Sequence, residues 1–315
     1  MTENETSGSE ILSPTPRPES SIHRIFIGPY GLRAGWRLAL FILILVGLGF
    51  ATRLVLQAAG RFPPRKLLVS LTPGQVAGSA GFGFLVTVVA TFIMSKIEGR
   101  KFGVYGLPLH RAFRKEFWLG IVWGFLATSG TLLAIYVFHG VHLARSAVPG
   151  NAMPLAVAAW TGAFLLVGFN EEFLFRGYPQ FTLTTGMGFW PAAILFSALF
   201  GLAHAGNSGE NVFGETSVVV FGLLFCLFLR RMGNLWFPVG FHLGYDWGQT
   251  FFYGVPDSGL LPTHNLFVAS FSGPRWLTGG TVGPEASVFC PIALVIVGIL
   301  FHFSYREVRY RTLGS

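Results

Sequence analysis

The sequence predicts an all-α polytopic membrane protein, with about eight transmembrane helices and a buried polar site on helices four, five and seven. Three observations carry that prediction. Of 315 residues, 52% are hydrophobic and only 11% are charged. Soluble domains average roughly 25% charged residues, and a globule this poor in charge could not cover its own surface. Mean hydropathy is +0.57. The apolar residues fall in blocks of about 20, the length of helix that crosses ~30 Å of hydrocarbon. The same figures exclude a soluble globule, a disordered chain and a nucleic-acid-binding module. The net charge of +8 and pI near 9.9 follow from the habit of membrane proteins of keeping Lys and Arg in cytoplasmic loops.

The elements follow in order. Residues 1–30 are rich in Ser, Thr, Pro and Glu and read as a disordered cytoplasmic tail. No apolar run follows within them, so they do not form a signal peptide. Residues 31–315 form the membrane domain, with apolar spans expected at 34–57, 76–96, 117–139, 154–182, 187–205, 212–230, 235–254 and 287–304. Gly and Pro inside several spans are tolerated by membrane helices. Basic residues then orient the chain. With the N-terminus in the cytoplasm, sixteen of the twenty-two Lys and Arg lie inside. Both termini are therefore expected in the cytoplasm, although the Arg61–Lys66 cluster runs the other way. The 255–286 segment is the longest connection and reads as an outer interfacial cover. Its Gly279–Gly283 run lacks the strand, Lys and following helix of a phosphate-binding loop. Cys226 and Cys290 each stand in an apolar stretch, without a C-x-x-C, and read as core residues.

Ionisable groups inside spans are where chemistry is to be sought. Each costs at least ~2.5 kcal/mol to insert and so faces a cavity or a partner. Glu98, Glu116, Glu210, Asp257, Glu285 and Glu307 fall in loops or at span ends and are set aside. Glu215 sits within one turn of a helix start, where a carboxylate is favourable. That leaves Glu171, Glu172 and Asp246, with the intramembrane histidines His204 and His242. Glu172 and Arg176 are four apart on one helix face and can pair. Glu171 points about 100° away and has no local partner, so it is left available for proton chemistry. His242 and Asp246 also share a face. Gly240 and Gly244 flank them at a spacing that lets another helix approach closely. Measured from Gly186 as a hairpin tip, Glu171 and His204 stand ~22 and ~27 Å up two antiparallel helices. His242 stands ~14 Å from the start of its helix. These heights place the site nearer the inner face.

A carboxylate, two imidazoles and a second carboxylate in a dry cavity suit hydrolysis. Glu can take a proton from water, and imidazoles can ligate zinc or donate to an oxyanion. Neither H-E-x-x-H nor G-x-S-x-G occurs, which sets aside the helix of soluble zinc proteases and the serine elbow.

The ordered set Glu171-Glu172-x-x-x-Arg176, Phe200-x-x-x-His204 and His242-x-x-x-Asp246 resembles the CAAX prenyl endopeptidase and bacteriocin-processing (CPBP) family of intramembrane proteases. The family-like core covers about 153–254. The resemblance implies an eight-helix membrane endopeptidase in which Glu171 and His204 activate water. It implies His242 and Asp246 as oxyanion or metal-side groups, supported by Glu172, Arg176 and Phe200. A divalent metal, zinc foremost, would be held by Glu171, His204 and His242. The eukaryotic prenyl proteases carry an amide where this chain has Asp246. An ionised Asp cannot donate to an oxyanion, so Asp246 stays open between a protonated donor, an orienter of His242 and a metal ligand. The partners implied are a membrane-associated peptide or protein substrate and the lipid bilayer, with no nucleic acid. The membrane implied is the bacterial cytoplasmic membrane. Two other readings compete: a non-catalytic immunity or scaffold protein of the same fold, and a proton-coupled transporter. No internal repeat is detectable, which disfavours the transporter.

Overall fold

The computed structural model describes residues 25–28, 31–58, 70–145, 150–206, 209–259 and 261–313. Most of the 1–30 tail, and the Arg61–Lys66 cluster, lie outside these residues. At the end of that tail, Ile27–Gly28 bridges Gly31–Leu32, and Phe26 stacks on Trp36 at 4.8 Å between centroids.

The fold is all-α. Its helices of ten residues or more, among the described residues, are α1 Ala34–Ala58, α2 Pro73–Ile97, α3 Lys115–Val137, α4 Met153–Arg176, α5 Tyr178–Met187, α6 Phe189–His204, α7 Val212–Met232, α8 Trp236–Asp246 and α9 Phe289–Ser304. Among the described residues, five segments are long and apolar enough to cross a membrane: α1, α2, α3, α7, and α4 with α5 taken as one. Large apolar side chains such as Leu43, Phe50, Leu85, Leu126 and Ile299 stand exposed on the outside of the bundle. Water would penalise such a surface; hydrocarbon matches it. The chain is an integral, multi-pass membrane protein.

Two expected spans are not single α-helices. The fourth, 154–182, breaks at Gly177 between α4 and α5. Pro179 supplies the reason, since it lacks an N–H and its ring crowds the carbonyl four residues back. The seventh, 235–254, is α8 followed by a π-helical turn at Trp247–Phe252. The 253–288 loop also pairs with the α3–α4 connection in a way that was not expected. Strand β1, Val141–Arg145, pairs antiparallel with β2, Phe267–Phe271.

Helix α8 is the centre of the molecule, with every residue from Trp236 to Tyr245 buried. It packs most closely against α3, glycine to glycine. A methyl group on Gly120 or Gly124 would strike the carbonyls of Phe237 or Phe241, and one on Gly240 or Gly244 those of Phe117 or Ile121. The close approach read from Gly240 and Gly244 is therefore present, and α3 is the partner.

The bundle has two distinct ends. At one, Arg37 in the first turn of α1 meets Glu98 at 3.1 Å. Glu98 follows α2, and it also accepts from Tyr105 at 3.2 Å and from Tyr178 of α5. The non-helical tail after α9 lies at this end, where Arg309 and Tyr310 donate to the carbonyl of Arg230. At the other end the 253–288 loop is tied down. Trp160 Nε1 donates to the carbonyl of Thr263 at 3.0 Å, and Ser272 Oγ donates to that of His139 at 2.9 Å.

Candidate active site

Three helices bring the motifs together. Helix α4 carries Glu171, Glu172 and Arg176, α6 carries Phe200 and His204, and α8 carries His242 and Asp246. Arg176 Nη1 lies 3.3 Å from Glu172 Oε1, and both side chains are fully buried. The guanidinium sits 4.3 Å from the ring centre of Phe200 and 5.3 Å from that of Phe225. The π face of Phe200 thus stabilises the buried cation. The Glu172–Arg176 pair expected from spacing is present.

Glu172 has a second partner that spacing could not reveal. Its Oε1 accepts from Nδ1 of His242 at 3.0 Å. The opposite nitrogen of that ring, Nε2, lies 3.4 Å from Asp246 Oδ2 and 3.7 Å from Glu171 Oε2. Glu171 lacks a partner on its own helix, as expected, but it meets His242 across the bundle. Phe225 stacks on the His242 ring at 5.2 Å and 13°, so packing as well as hydrogen bonding fixes the imidazole plane. His204 is held differently. Its Nδ1 lies 2.8 Å from the carbonyl of Phe200. A carbonyl only accepts, so Nδ1 carries the proton and a neutral ring keeps its lone pair on Nε2.

Glu171, His204, His242 and Asp246 line one cavity of about 290 Å³, and the Glu172–Arg176 pair lies behind it. Val76, Phe164, Val167, Val218, Phe221 and Phe225 form its apolar wall, and Glu171, His204, His242, Tyr245 and Asp246 its polar one. Two carboxylates set aside as loop residues also line it, Asp257 and Glu285. Asp257 Oδ2 accepts from Thr250 in the π turn at 2.9 Å. Burial, then the neighbouring charges of Asp246 and Glu171, push its carboxyl up to about 7. Glu285 accepts from the backbone N–H of Ser258 at 2.5 Å. Burial and then the charge of Asp257 hold it well above the usual carboxylate range. The one available sequence signal was that these are the only acids in an otherwise apolar, Gly- and Pro-rich loop. Glu215 lies in the first turn of α7, the helix-start position expected for it.

The expected depth needs correction. The cavity is walled in part by Gln75 and Ser79, near the start of α2, and by Asp257, Ser258 and Glu285 of the loop. It therefore reaches the end opposite the chain termini. The height estimate failed because His204 closes α6 at that end and the loop folds down onto it.

Both imidazoles have the outer partner that a metal-binding histidine needs, a carboxylate for His242 and a carbonyl for His204. The inner set is not drawn together. Among the described residues no three His, Cys, Asp or Glu side chains form a group able to hold a metal ion. The zinc set of Glu171, His204 and His242 does not fit in this arrangement.

Residues 153–248 match the family model described as Type II CAAX prenyl endopeptidase Rce1-like. The match contains all three motifs and covers under a third of the chain. It bears out the resemblance read from those motifs and supports the fold of a CAAX-type intramembrane protease. No curated protein matches the chain.

Proposed function

We propose that the chain is an intramembrane endopeptidase that hydrolyses a peptide bond of a membrane-associated peptide or protein. The observation that carries this reading is the approach of Glu171 to His242 in a cavity whose other wall is apolar. A carboxylate held there can take a proton, and an apolar wall accepts an extended peptide while excluding bulk water.

The reaction needs four acts. Glu171 takes one proton from a water molecule, and the lone pair of His204 Nε2 accepts a hydrogen bond from the other, fixing the water's direction. The oxygen attacks the scissile carbonyl carbon. The Nε2–H of His242 donates a hydrogen bond to the oxyanion as charge develops there and keeps its proton throughout. Glu171 then returns its proton to the departing amine, so protons balance. Glu172, fixed by Arg176, keeps Nδ1 of His242 protonated and aims Nε2 into the cavity. Asp246, 3.4 Å from His242 Nε2, accepts from that nitrogen before substrate enters and so holds the N–H on the cavity side of the ring, which gives the carboxylate in place of an amide a use. No step is routed through a metal.

The test is cleavage of model peptides by the purified, detergent-solubilised protein, comparing the natural chain with Glu171→Gln. Cleavage lost in the variant supports the assignment. Equal cleavage in both removes Glu171 from the reaction, and no cleavage by the natural protein of any reconstituted peptide favours the scaffold reading.

A further inference from the structure

At the end of the bundle opposite the loop-walled cavity lies a second hollow, of about 800 Å³. Arg100, Lys101, Arg111, Arg309 and Arg311 line it, against a single acid, Glu307. A neighbouring hollow of about 570 Å³ shares Arg111 and Arg309 and adds Arg114, Lys115 and a second acid, Glu116.

We propose that this basic trough binds the phosphate headgroup of an anionic phospholipid. Topology alone spreads cations through the loops of one face; it does not gather them round a concavity. Here the fold does so by strapping the C-terminal tail across the bundle end. Backbone N–H groups of Arg309 and Tyr310 both donate to the carbonyl of Arg230 at 3.1 Å. The Tyr310 ring packs on Phe181 and Phe189 at 4.9 and 4.8 Å. Gly233, at φ 71°, leaves room for the Arg309 backbone that any side chain would occupy. The strap sets Arg309 and Arg311 opposite Arg100, Lys101 and Arg111.

Charge compensation within the protein is incomplete. Arg100 pairs with Glu98 at 3.3 Å, Arg111 with Glu116 at 3.6 Å, and Arg309 with Glu307 at 2.9 Å and Glu116 at 3.7 Å. Lys101 and Arg311 have no carboxylate partner among the described residues. The surroundings select a lipid over a soluble phosphate compound. Leu109 is 83% exposed, Val104 of the trough wall is exposed too, and Phe113 and Trp118 stand exposed in the same chain segment as Arg111, Arg114 and Lys115. Apolar side chains next to cations at the ends of membrane spans match the boundary between acyl chains and headgroups.

The experiment uses the full chain, purified and delipidated in neutral detergent. Melting is followed with phosphatidylglycerol, phosphatidylcholine or inorganic phosphate, for the natural protein and for Lys101→Gln/Arg311→Gln. Both substituted side chains are solvent-facing, so the fold is not at stake. Phosphatidylglycerol should raise Tm by about 5 °C and phosphatidylcholine should not. The double variant should lose at least half of the shift while melting normally in phosphatidylcholine. Equal shifts with both lipids, or an undiminished shift in the variant, would overturn the site. Equal protection by inorganic phosphate would overturn its assignment to lipid.

Discussion

Glu172 serves two partners at once, neutralising Arg176 at 3.3 Å and holding His242 Nδ1 at 3.0 Å. That double duty separates its role from that of Glu171 one residue earlier. Replacing Glu171 with Gln removes a base and keeps the shape. Cleavage should fall by ~10²–10⁴-fold with unchanged melting, measured on the same preparation. Asp257 invites a different measurement. Its folded carboxyl titrates near 7, against 3.8 for the free side chain. Between those values the unfolded chain loses its proton first, so this group lowers stability as pH rises through that window and adds no further loss above about 7. Asp257→Asn should therefore melt progressively higher than the natural protein as pH goes from 4 to 7, with the gap level beyond. A gap independent of pH would show that Asp257 is not buried beside Asp246.

At the scale of elements, two contacts position the chemistry. The first is the Arg176 cage, where α4, α6 and α7 meet through Glu172, Phe200 and Phe225. Arg176→Ala strands the Glu172 charge, and losing one partner of a buried pair costs about 3–5 kcal/mol. Thermal melts should show that loss together with lower activity; an unchanged Tm would mean that the pair does not form. The second is the glycine seam of α3 and α8, which sets how deeply His242 sits. Gly124→Ala pushes a methyl into the Phe241 carbonyl, whereas Gly130 on the same helix has open space around it. The Gly124 variant should lose stability and cleavage, while Gly130→Ala should be neutral or slightly stabilising.

Across the whole molecule the two ends contrast. Carboxylates of the 253–288 loop wall the cavity, and cations surround the end where α1 begins and α9 finishes. If the basic end is cytoplasmic, a cysteine at Ser272 should react with an impermeant thiol reagent added outside intact cells, and one at Lys101 should not. The reverse pattern would invert the assigned topology. Chelation is the other global test. Among the described residues the donors do not converge on a metal site, so the proposed reaction predicts that a chelator leaves cleavage unchanged. Activity lost to a chelator and restored by zinc would mean that Glu171, His204 and His242 draw together around an ion.

Local order explains what could be read from the chain alone. A run of about twenty apolar residues has one stable form in lipid, because every backbone polar group must be satisfied within the segment. The apolar helical segments were legible for that reason, and five of them among the described residues are long and apolar enough to cross a membrane; whether all eight expected spans cross was not. Pairs four residues apart share a helix face whatever the surroundings, so Glu172–Arg176 and His242–Asp246 were legible too. The contact of Glu172 with His242 spans 70 residues, and the descent of Asp257 and Glu285 into the cavity depends on where the loop lands. Both are set by the rotation and depth of helices relative to one another. Those quantities follow from packing over the glycine seam and the aromatic core, which periodicity along one helix does not encode.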